Sequence, residues 1–234
     1  MSRPGSAAAV AAASFAALAG LVSAGSLTGI DQWANDHAMP WAAFPGPPPT
    51  VLEGLVPLYR ADLGTWPRAT AALVTLPGQV AVSFVLVLGA AGLLRRHGRV
   101  DAAVAWVAAW AAGTAIEGVC KHVLVRPPLV RHGVHVVAFD TSWPSGHTIR
   151  AAVVALALAA AVPAARLPLA LWYVSVPVLL VAVGAHTPSD VAGGLLLAGL
   201  LALGARELER SRLLRRRAAL RAGGPRAGAV RRRA

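Results

Sequence analysis

Residues 69–99 read ATAALVTLPGQVAVSFVLVLGAAGLLRRHGR, and this stretch decides the fold class. Residues 69–94 carry no charged side chain, and an apolar run of that length is long enough to cross a bilayer as a helix. Pro77-Gly78 predicts a kink within it. The three arginines of residues 95–99 place the following loop in the cytoplasm, because cytoplasmic loops are enriched in basic residues.

Five further apolar runs lie on either side of this one. They cover residues 7–24, 102–120, 147–165, 167–185 and 188–205. Each is close to the roughly 20 residues that a membrane-spanning helix needs. Hydrophobic residues make up 56% of the 234 residues, and the mean hydropathy of +0.60 is high for a soluble domain. We therefore predict an all-α, polytopic membrane bundle of about six transmembrane spans, with both termini in the cytoplasm.

Charge and composition divide the chain into four parts. Residues 1–28 form a first span or a signal peptide; Val22-Ser23-Ala24 resembles a cleavage site, but the apolar run is long for a signal peptide, which favours a retained span. Residues 29–68 are predicted to be an outer loop with short interfacial segments, because they contain a proline-rich run and few basic residues. Residues 69–205 form the helical bundle, and residues 206–234 a basic cytoplasmic tail.

The basic residues and the single cysteine narrow the possible partners. Half of the 22 basic residues lie in the tail, directly after the last apolar run, which favours contact with anionic membrane lipids over nucleic acid. Cys120 is the only cysteine, so no intramolecular disulfide is expected. No Cys/His cluster has zinc-like spacing, and we predict neither a metal nor another cofactor. The oligomeric state stays open, and the abundance of Ala and Arg with a single Lys suggests a bacterial source.

Most of the unusual polar residues fall where the predicted helix ends meet at the outer face. They form three stretches: KHVLVRPP at 121–128, SWPSGHTIR at 142–150 and HTPSD at 186–190. In the second stretch, Ser145 is a natural N-cap and Gly146 lets an anion approach the backbone. The positive end of the helix dipole favours a phosphate there, with His147 beside it and Arg150 on the same face. The simpler alternative is a capped membrane helix with a histidine at the water boundary.

The third and first stretches add a possible nucleophile and possible cations. Thr187 and Asp190 have the spacing of a capping box, which by itself explains the start of a helix. The functional interpretation adds His186, since a carboxylate on one imidazole nitrogen leaves the other free to attack. Lys121 and Arg126 are basic residues on an outer loop, where they are disfavoured unless they bind an anion; the alternative is interfacial snorkelling. A further carboxylate, Glu117, is expected to pair with Lys121 four residues later.

The order and spacing of these stretches resemble the type 2 phosphatidic acid phosphatase superfamily, which is related to vanadium haloperoxidases. That family carries Lys-x6-Arg-Pro, then Pro-Ser-Gly-His, then Ser-Arg-x5-His-x3-Asp. Residues 144–147 match the second motif completely, and His186 and Asp190 match the end of the third. The resemblance covers about residues 102–204.

The two motif arginines of the family are absent from their usual places. Counted from Lys121, the Arg-Pro pair would fall at Pro128-Leu129, and the Ser-Arg pair falls at Leu179-Leu180. The available substitutes are Arg126, Arg131 and Arg150. We favour Arg150, because it would share a helix face with His147.

The resemblance implies a metal-independent membrane phosphatase whose active site faces the extracytoplasmic side of the cell membrane. By resemblance, His186 forms a phosphohistidine, Asp190 orients it and His147 transfers protons. The groups that would hold the phosphate are Lys121, Arg126, Ser145, Gly146 and Arg150. The substrate would be a lipid phosphate or pyrophosphate; phosphatidic acid, phosphatidylglycerol phosphate and a polyprenyl pyrophosphate all fit.

Two other functions are compatible with the same residues. One is a non-catalytic or degenerate family member that acts as a lipid-binding or transport-related membrane protein. The other is a vanadate-dependent haloperoxidase, which the apolar spans argue against because those family members are soluble.

Overall fold

The computed structural model describes residues 4–42 and 66–222, with side chains described for residues 7–42 and 66–214. These ranges are mainly helical, which confirms the predicted all-α class. The α-helices are α1 (Pro4–Ser23), α2 (Thr28–His37), α3 (Trp66–Thr75), α4 (Val80–Arg96), α5 (Val100–Val123), α6 (Gly146–Ala161), α7 (Arg166–Ala182) and α8 (Pro188–Ala222). Three single 3-10 turns (Leu76–Gly78, Val137–Phe139 and Pro163–Ala165) and a small hairpin of β1 (Val130–Arg131) and β2 (Val134–His135) complete them.

By length and composition, the described helices supply three to five membrane spans. Three helices are each long and apolar enough to cross a membrane: Val100–Val123, Pro163–Ala182 and Pro188–Leu214. Two bent helix pairs, α1 with α2 and α3 with α4, are long and apolar enough only when each pair is taken as one span. The prediction of about six spans also counted α6, an apolar helix of 16 residues, against the range of about 17–25 residues that spanning helices have.

α6 lies inside the bundle. It packs against α4, α5, α7 and α8, and most of its residues are buried. Small residues let the helices approach closely: a β-carbon on Gly113 of α5 would come within 2.8 Å of Leu201 and 2.9 Å of Ile149. An alanine-rich core joins α4, α5, α6 and α8 between Gly113 and the arginine-rich loop. The start of α6 is therefore fixed by neighbours on every side.

The predicted kink at Pro77-Gly78 is present. α3 ends at Thr75, and a 3-10 turn covers Leu76–Gly78. The axis of α4 is bent by 51° from the axis of the segment Trp66–Gly78. Gly78 packs on the first turn of α6, since a β-carbon there would come within 2.9 Å of the His147 carbonyl oxygen. The break in the span thus lies beside the second polar stretch.

The N-terminal helices belong to the same bundle. α1 packs along α8, and the Phe15 ring stacks on Trp143 with ring centroids 5.0 Å apart. α2 leaves α1 at 76° and falls in the segment predicted to be an outer loop. Asn35 of α2 donates to the Val130 carbonyl at 3.0 Å, which fastens the hairpin loop to this helix. Residues 43–65 of the predicted outer loop lie outside the described residues.

The last helix continues beyond the predicted end of the bundle. α8 runs without a break to Ala222, so the first part of the predicted basic tail extends the final apolar helix. Arg99, in the arginine-rich loop, donates to Glu209 of α8 and to the Ala160 carbonyl, at 2.8 Å and 2.7 Å. The arginine loop and the helical part of the tail therefore lie at the same end of the bundle.

Candidate active site

The second and third polar stretches are held together by hydrogen bonds to backbone carbonyls at the end of the bundle opposite Arg99. The Ser145 amide donates to the Asp190 carbonyl at 2.9 Å, and the Trp143 indole donates to the Ser189 carbonyl at 3.1 Å. Gly194 of α8 allows this approach, because a β-carbon there would come within 2.8 Å of the Ser145 carbonyl oxygen. The starts of α6 and α8 are thus held side by side.

Ser145 caps α6 as its position predicts. Its hydroxyl oxygen accepts from the Thr148 amide at 3.3 Å and from the Thr148 hydroxyl at 2.9 Å. The cap satisfies one of the amides that a helix start leaves free, and the remaining free amides retain the positive end of the dipole. An anion beside Gly146 and His147 would meet that positive end.

The two candidate catalytic histidines face each other. The ring centroids of His147 and His186 lie 6.0 Å apart at an interplanar angle of 61°, and His186 is buried. Nδ1 of His186 lies 3.5 Å from Asp190 Oδ2. With Nδ1 directed at the carboxylate, Nε2 is the nitrogen that remains for a substrate.

Asp190 is held by donors from three parts of the chain. Its Oδ2 accepts from the Thr187 amide at 2.8 Å and from the Ser142 hydroxyl at 2.7 Å, and its Oδ1 accepts from Arg126 at 3.1 Å. In return, the Thr187 hydroxyl oxygen accepts from the Asp190 amide at 3.3 Å, which completes the predicted capping box. One carboxylate therefore both starts α8 and faces His186.

Arg126 lies between two buried carboxylates. Besides Asp190 and the Thr187 hydroxyl, its guanidinium binds Asp31 of α2, with Nη2 2.6 Å from Oδ2. Asp31 also accepts from the amide and the hydroxyl of Ser189, at 3.0 Å and 2.6 Å. The phosphate contact proposed for Arg126 stays a prediction, and the observed partners of its terminal nitrogens are protein groups.

Asp31 is the residue that sequence reasoning missed. It is completely buried and belongs to the ion pair that supports Asp190. In the sequence it counted only as one of several acids in a presumed outer loop. The available signal was an acid within a short amphipathic segment, whose exposed face carries Ile30 and Trp33.

Lys121 and Arg150 converge on Glu117 in α5. Lys121 Nζ lies 2.7 Å from Glu117 Oε1, as the spacing predicts, and Arg150 Nη1 pairs with Glu117 Oε2. Arg150 also donates from Nε to the Gly78 carbonyl at 2.7 Å. The Glu117 carboxylate lies directly against Gly146, where any β-carbon would overlap it.

Arg131, the third candidate substitute, lies on the hairpin loop. It donates to the Met39 carbonyl at 3.4 Å, on the side of α2. Within residues 4–42 and 66–222, no three His, Cys, Asp or Glu side chains form a group that could hold a metal ion. Of the three candidate arginines, the structure brings Arg126 and Arg150 to the site through their ion pairs.

Comparison with known proteins gives one match. A family model described as the PAP2 superfamily matches residues 121–212, which contain all three polar stretches, and this confirms the resemblance to the type 2 phosphatidic acid phosphatase superfamily. Members of that superfamily are phosphatases, so the match supports hydrolysis of a phosphoric ester in general. No curated protein and no solved structure was found to match the chain.

Proposed function

We propose that this protein is a membrane phosphatase that hydrolyses a lipid phosphate or pyrophosphate at the extracytoplasmic face through a phosphohistidine intermediate. The observation that carries the proposal is the approach of two imidazoles with a carboxylate behind one of them. The His147 and His186 centroids are 6.0 Å apart, and reacting atoms in a productive complex lie about 3–3.5 Å apart. Both rings can therefore reach one phosphorus.

In the first step, Nε2 of His186 attacks phosphorus and the bond to the leaving oxygen breaks. The Asp190 carboxylate, 3.5 Å from Nδ1 of His186, stabilises the positive charge that develops on the ring. His147 donates a proton to the leaving oxygen, so that an alcohol or a lower phosphate departs. The products of this step are the phosphohistidine and a neutral His147.

In the second step, His147 takes a proton from water, and the water oxygen attacks phosphorus. The phosphorus–nitrogen bond breaks, His186 recovers its lone pair, and inorganic phosphate leaves with the oxygen from water. The two histidines thus return to their starting protonation states without any other reactant.

The equatorial phosphate oxygens would be held by Lys121, Arg150 and the start of α6 at Ser145 and Gly146. Lys121 and Arg150 meet at the Glu117 carboxylate, which lies against Gly146 at the start of α6, and charge spreads over the equatorial oxygens in the transition state. We assign Arg126 mainly to Asp190, because its guanidinium holds that carboxylate together with Asp31. In this assignment Arg126 acts on the nucleophile through Asp190.

The location of the site supports a substrate anchored in the membrane. Lys121 and the starts of α6 and α8 lie at one end of the apolar helices, and the arginine loop lies at the other. Basic loops favour the cytoplasm, so the site is expected at the outer headgroup region. A phosphate carried by a lipid headgroup would reach His186 there.

A panel of lipid phosphates in detergent micelles tests the proposal. Wild-type protein should release inorganic phosphate from at least one lipid, and His186→Ala and His147→Ala should each lose at least about a hundredfold in kcat/KM because each removes an acid–base or nucleophilic group. His97→Ala, an exposed histidine in the arginine loop, is the matched control and should retain full activity.

Two outcomes of this panel would reject the proposal. Turnover that survives in both histidine variants would exclude the mechanism. Correctly folded wild-type protein that releases no phosphate from any lipid would favour the non-catalytic alternative.

A further inference from the structure

Glu117 is a buried carboxylate that the proposed mechanism does not use. It lies in the last two turns of α5 and is 6% exposed. Its two oxygens are divided between the proposed phosphate-binding cations, with Oε1 on Lys121 and Oε2 on Arg150. A buried ion pair carries a high desolvation penalty, and a buried cation left without its carboxylate costs more still, so Glu117 compensates the charges of Lys121 and Arg150 while no other anion is bound.

The same carboxylate covers the backbone to which the phosphate is assigned. It lies against Gly146, the first residue of α6, so closely that a β-carbon on this residue would overlap it. Lys121, Arg150 and Gly146, which we call the phosphate cradle, therefore all contact one anion of the protein itself. A phosphoryl group that bound the phosphate cradle would need the space and the charges that Glu117 occupies.

The net charge of the phosphate cradle also indicates that Glu117 and a phosphoryl group compete for it. Two cations and one carboxylate leave a net charge of +1 in the phosphate cradle, whereas the cations alone would offer +2. An alkyl phosphate is mainly a dianion above its second pKa of about 6. A dianion beside an ionised Glu117 would be strongly repelled, because like charges interact strongly where water is excluded.

We propose that Glu117 is an internal competitor of the substrate: its carboxylate holds Lys121 and Arg150 in the phosphate cradle until a phosphoryl group displaces it. The proposal rests on the proposed function, since it takes Lys121, Arg150 and Gly146 as the phosphate site. It assigns Glu117 a specificity-determining role, because displacement costs more for a weakly binding monoanion than for a dianion that replaces both ion pairs.

The structure has an opening into which the Glu117 carboxylate can rotate. The Lys121 side chain is 32% exposed, so one side of the phosphate cradle opens toward solvent near the end of α5 at Val123. A glutamate side chain has three rotatable bonds and can swing toward that opening without movement of the helix. Arg150 stays in place, because its Nε is anchored to the Gly78 carbonyl.

The test measures anion binding without turnover. Methyl phosphate, a dianion at pH 8, is titrated calorimetrically into His186→Ala protein and into the same protein carrying Glu117→Gln. The amide has the size of the carboxylate but no charge, so the phosphate cradle should bind methyl phosphate at least about tenfold more tightly, a modest part of what Coulomb attraction allows at this distance. Dimethyl phosphate, a monoanion, should gain less.

Glu209→Gln is the matched control, because it also removes one acid from an ion pair with an arginine. It lies on α8 about 28 Å along the helix from Asp190, at roughly 1.5 Å per residue, and should leave methyl phosphate binding unchanged. Glu117→Asp, which withdraws the charge by one methylene, serves if the glutamine variant does not fold, and its affinity should lie above that of the parent protein.

The outcomes separate this inference from the proposed function. Equal or weaker methyl phosphate binding after Glu117→Gln, in folded protein, would show that Glu117 only supports Arg150 and would overturn the inference. Phosphate release by wild-type protein and its loss in His186→Ala are measured independently, so the phosphatase proposal can stand when the competitor proposal fails.

Discussion

At the scale of single residues, the site depends on how buried charges are paired. Arg126 and Asp190 would each be costly to bury alone, and they share a network with Asp31, Thr187 and Ser189 in which every carboxylate oxygen has a donor. The network fixes Asp190 relative to His186. It also gives an N-terminal residue, outside the matched family segment, a place next to the candidate nucleophile.

Replacing Asp31 by Asn should therefore lower kcat and leave KM nearly unchanged. The variant removes one of the two charges that hold Arg126, so the Asp190 carboxylate is expected to shift relative to His186. We expect kcat to fall about tenfold, as for coupled neighbours in one hydrogen-bond network, with KM changed little. Steady-state kinetics on the best lipid substrate measures both constants.

Asp36→Asn is the matched control for this experiment. Asp36 lies on the exposed face of the same helix and bonds only Gln32 among the contacts observed for it. It should behave as wild type in both constants. An Asp31→Asn protein that loses thermal stability but keeps the wild-type kcat would assign Asp31 a structural role only.

At the scale of elements, the starts of α6 and α8 define the site because their backbones touch. The contact needs Gly194, beside which the Ser145 carbonyl and the Thr148 side chain lie at 2.8 Å and 2.9 Å from a hypothetical β-carbon. Ser145 is itself bonded to the Asp190 carbonyl. Any side chain at 194 must therefore push the Pro-Ser-Gly-His turn away from α8.

Replacing Gly194 by Ala should separate the two histidines. We expect a loss of about a hundredfold in kcat/KM, the size of effect that a misplacement of about 1 Å can cause. Gly199→Ala on the same helix is the control, since nothing lies within 4 Å of its β-carbon. It should keep its activity and gain up to about 1 kcal/mol in stability from the better helix former. Equal activity of the two variants would contradict the proposed helix contact.

The helix pattern also shows where sequence reasoning stops. Apolar runs and arginine loops were enough to predict the helices, because a bilayer requires long uncharged segments with satisfied backbone groups. They do not fix the number of spans, since an interior helix such as α6 and a spanning helix of alanine and valine have the same composition. They predicted only unspecified short interfacial segments where α2 lies, because its amphipathic pattern is short.

At the scale of the whole molecule, contacts distant in sequence complete the site. The motif spacing identified His147, His186 and Asp190, and the structure places these three together. The motif spacing did not predict that Arg126 would bind Asp31 and Asp190, or that Glu117 would lie against Gly146. Both contacts depend on how α2, α5 and α6 pack. A helix pattern assigns residues to faces, but the neighbour of each face follows from the three-dimensional arrangement.

The bundle also explains why such a site can exist in a membrane protein. Charged side chains within spans are costly unless they are paired or line a polar cavity. Here the acids and bases of the site lie at helix ends, and Glu117, Lys121 and Arg150 neutralise one another in part. The opposite end carries the arginine loop and the basic part of α8, so the two ends of the molecule differ in chemistry as well as in predicted exposure.

The most direct test of the central claim is to trap the phosphorylated enzyme. Purified wild-type protein and the His147→Ala variant are mixed with a radiolabelled lipid phosphate, quenched in alkali, and digested so that mass spectrometry can locate the label. We predict labelled phosphate on His186 in wild-type protein, slower loss of that label in His147→Ala once formed because the second step then lacks its base, and no label in His186→Ala. Phosphate release without labelled His186, or label on another residue, would contradict the mechanism.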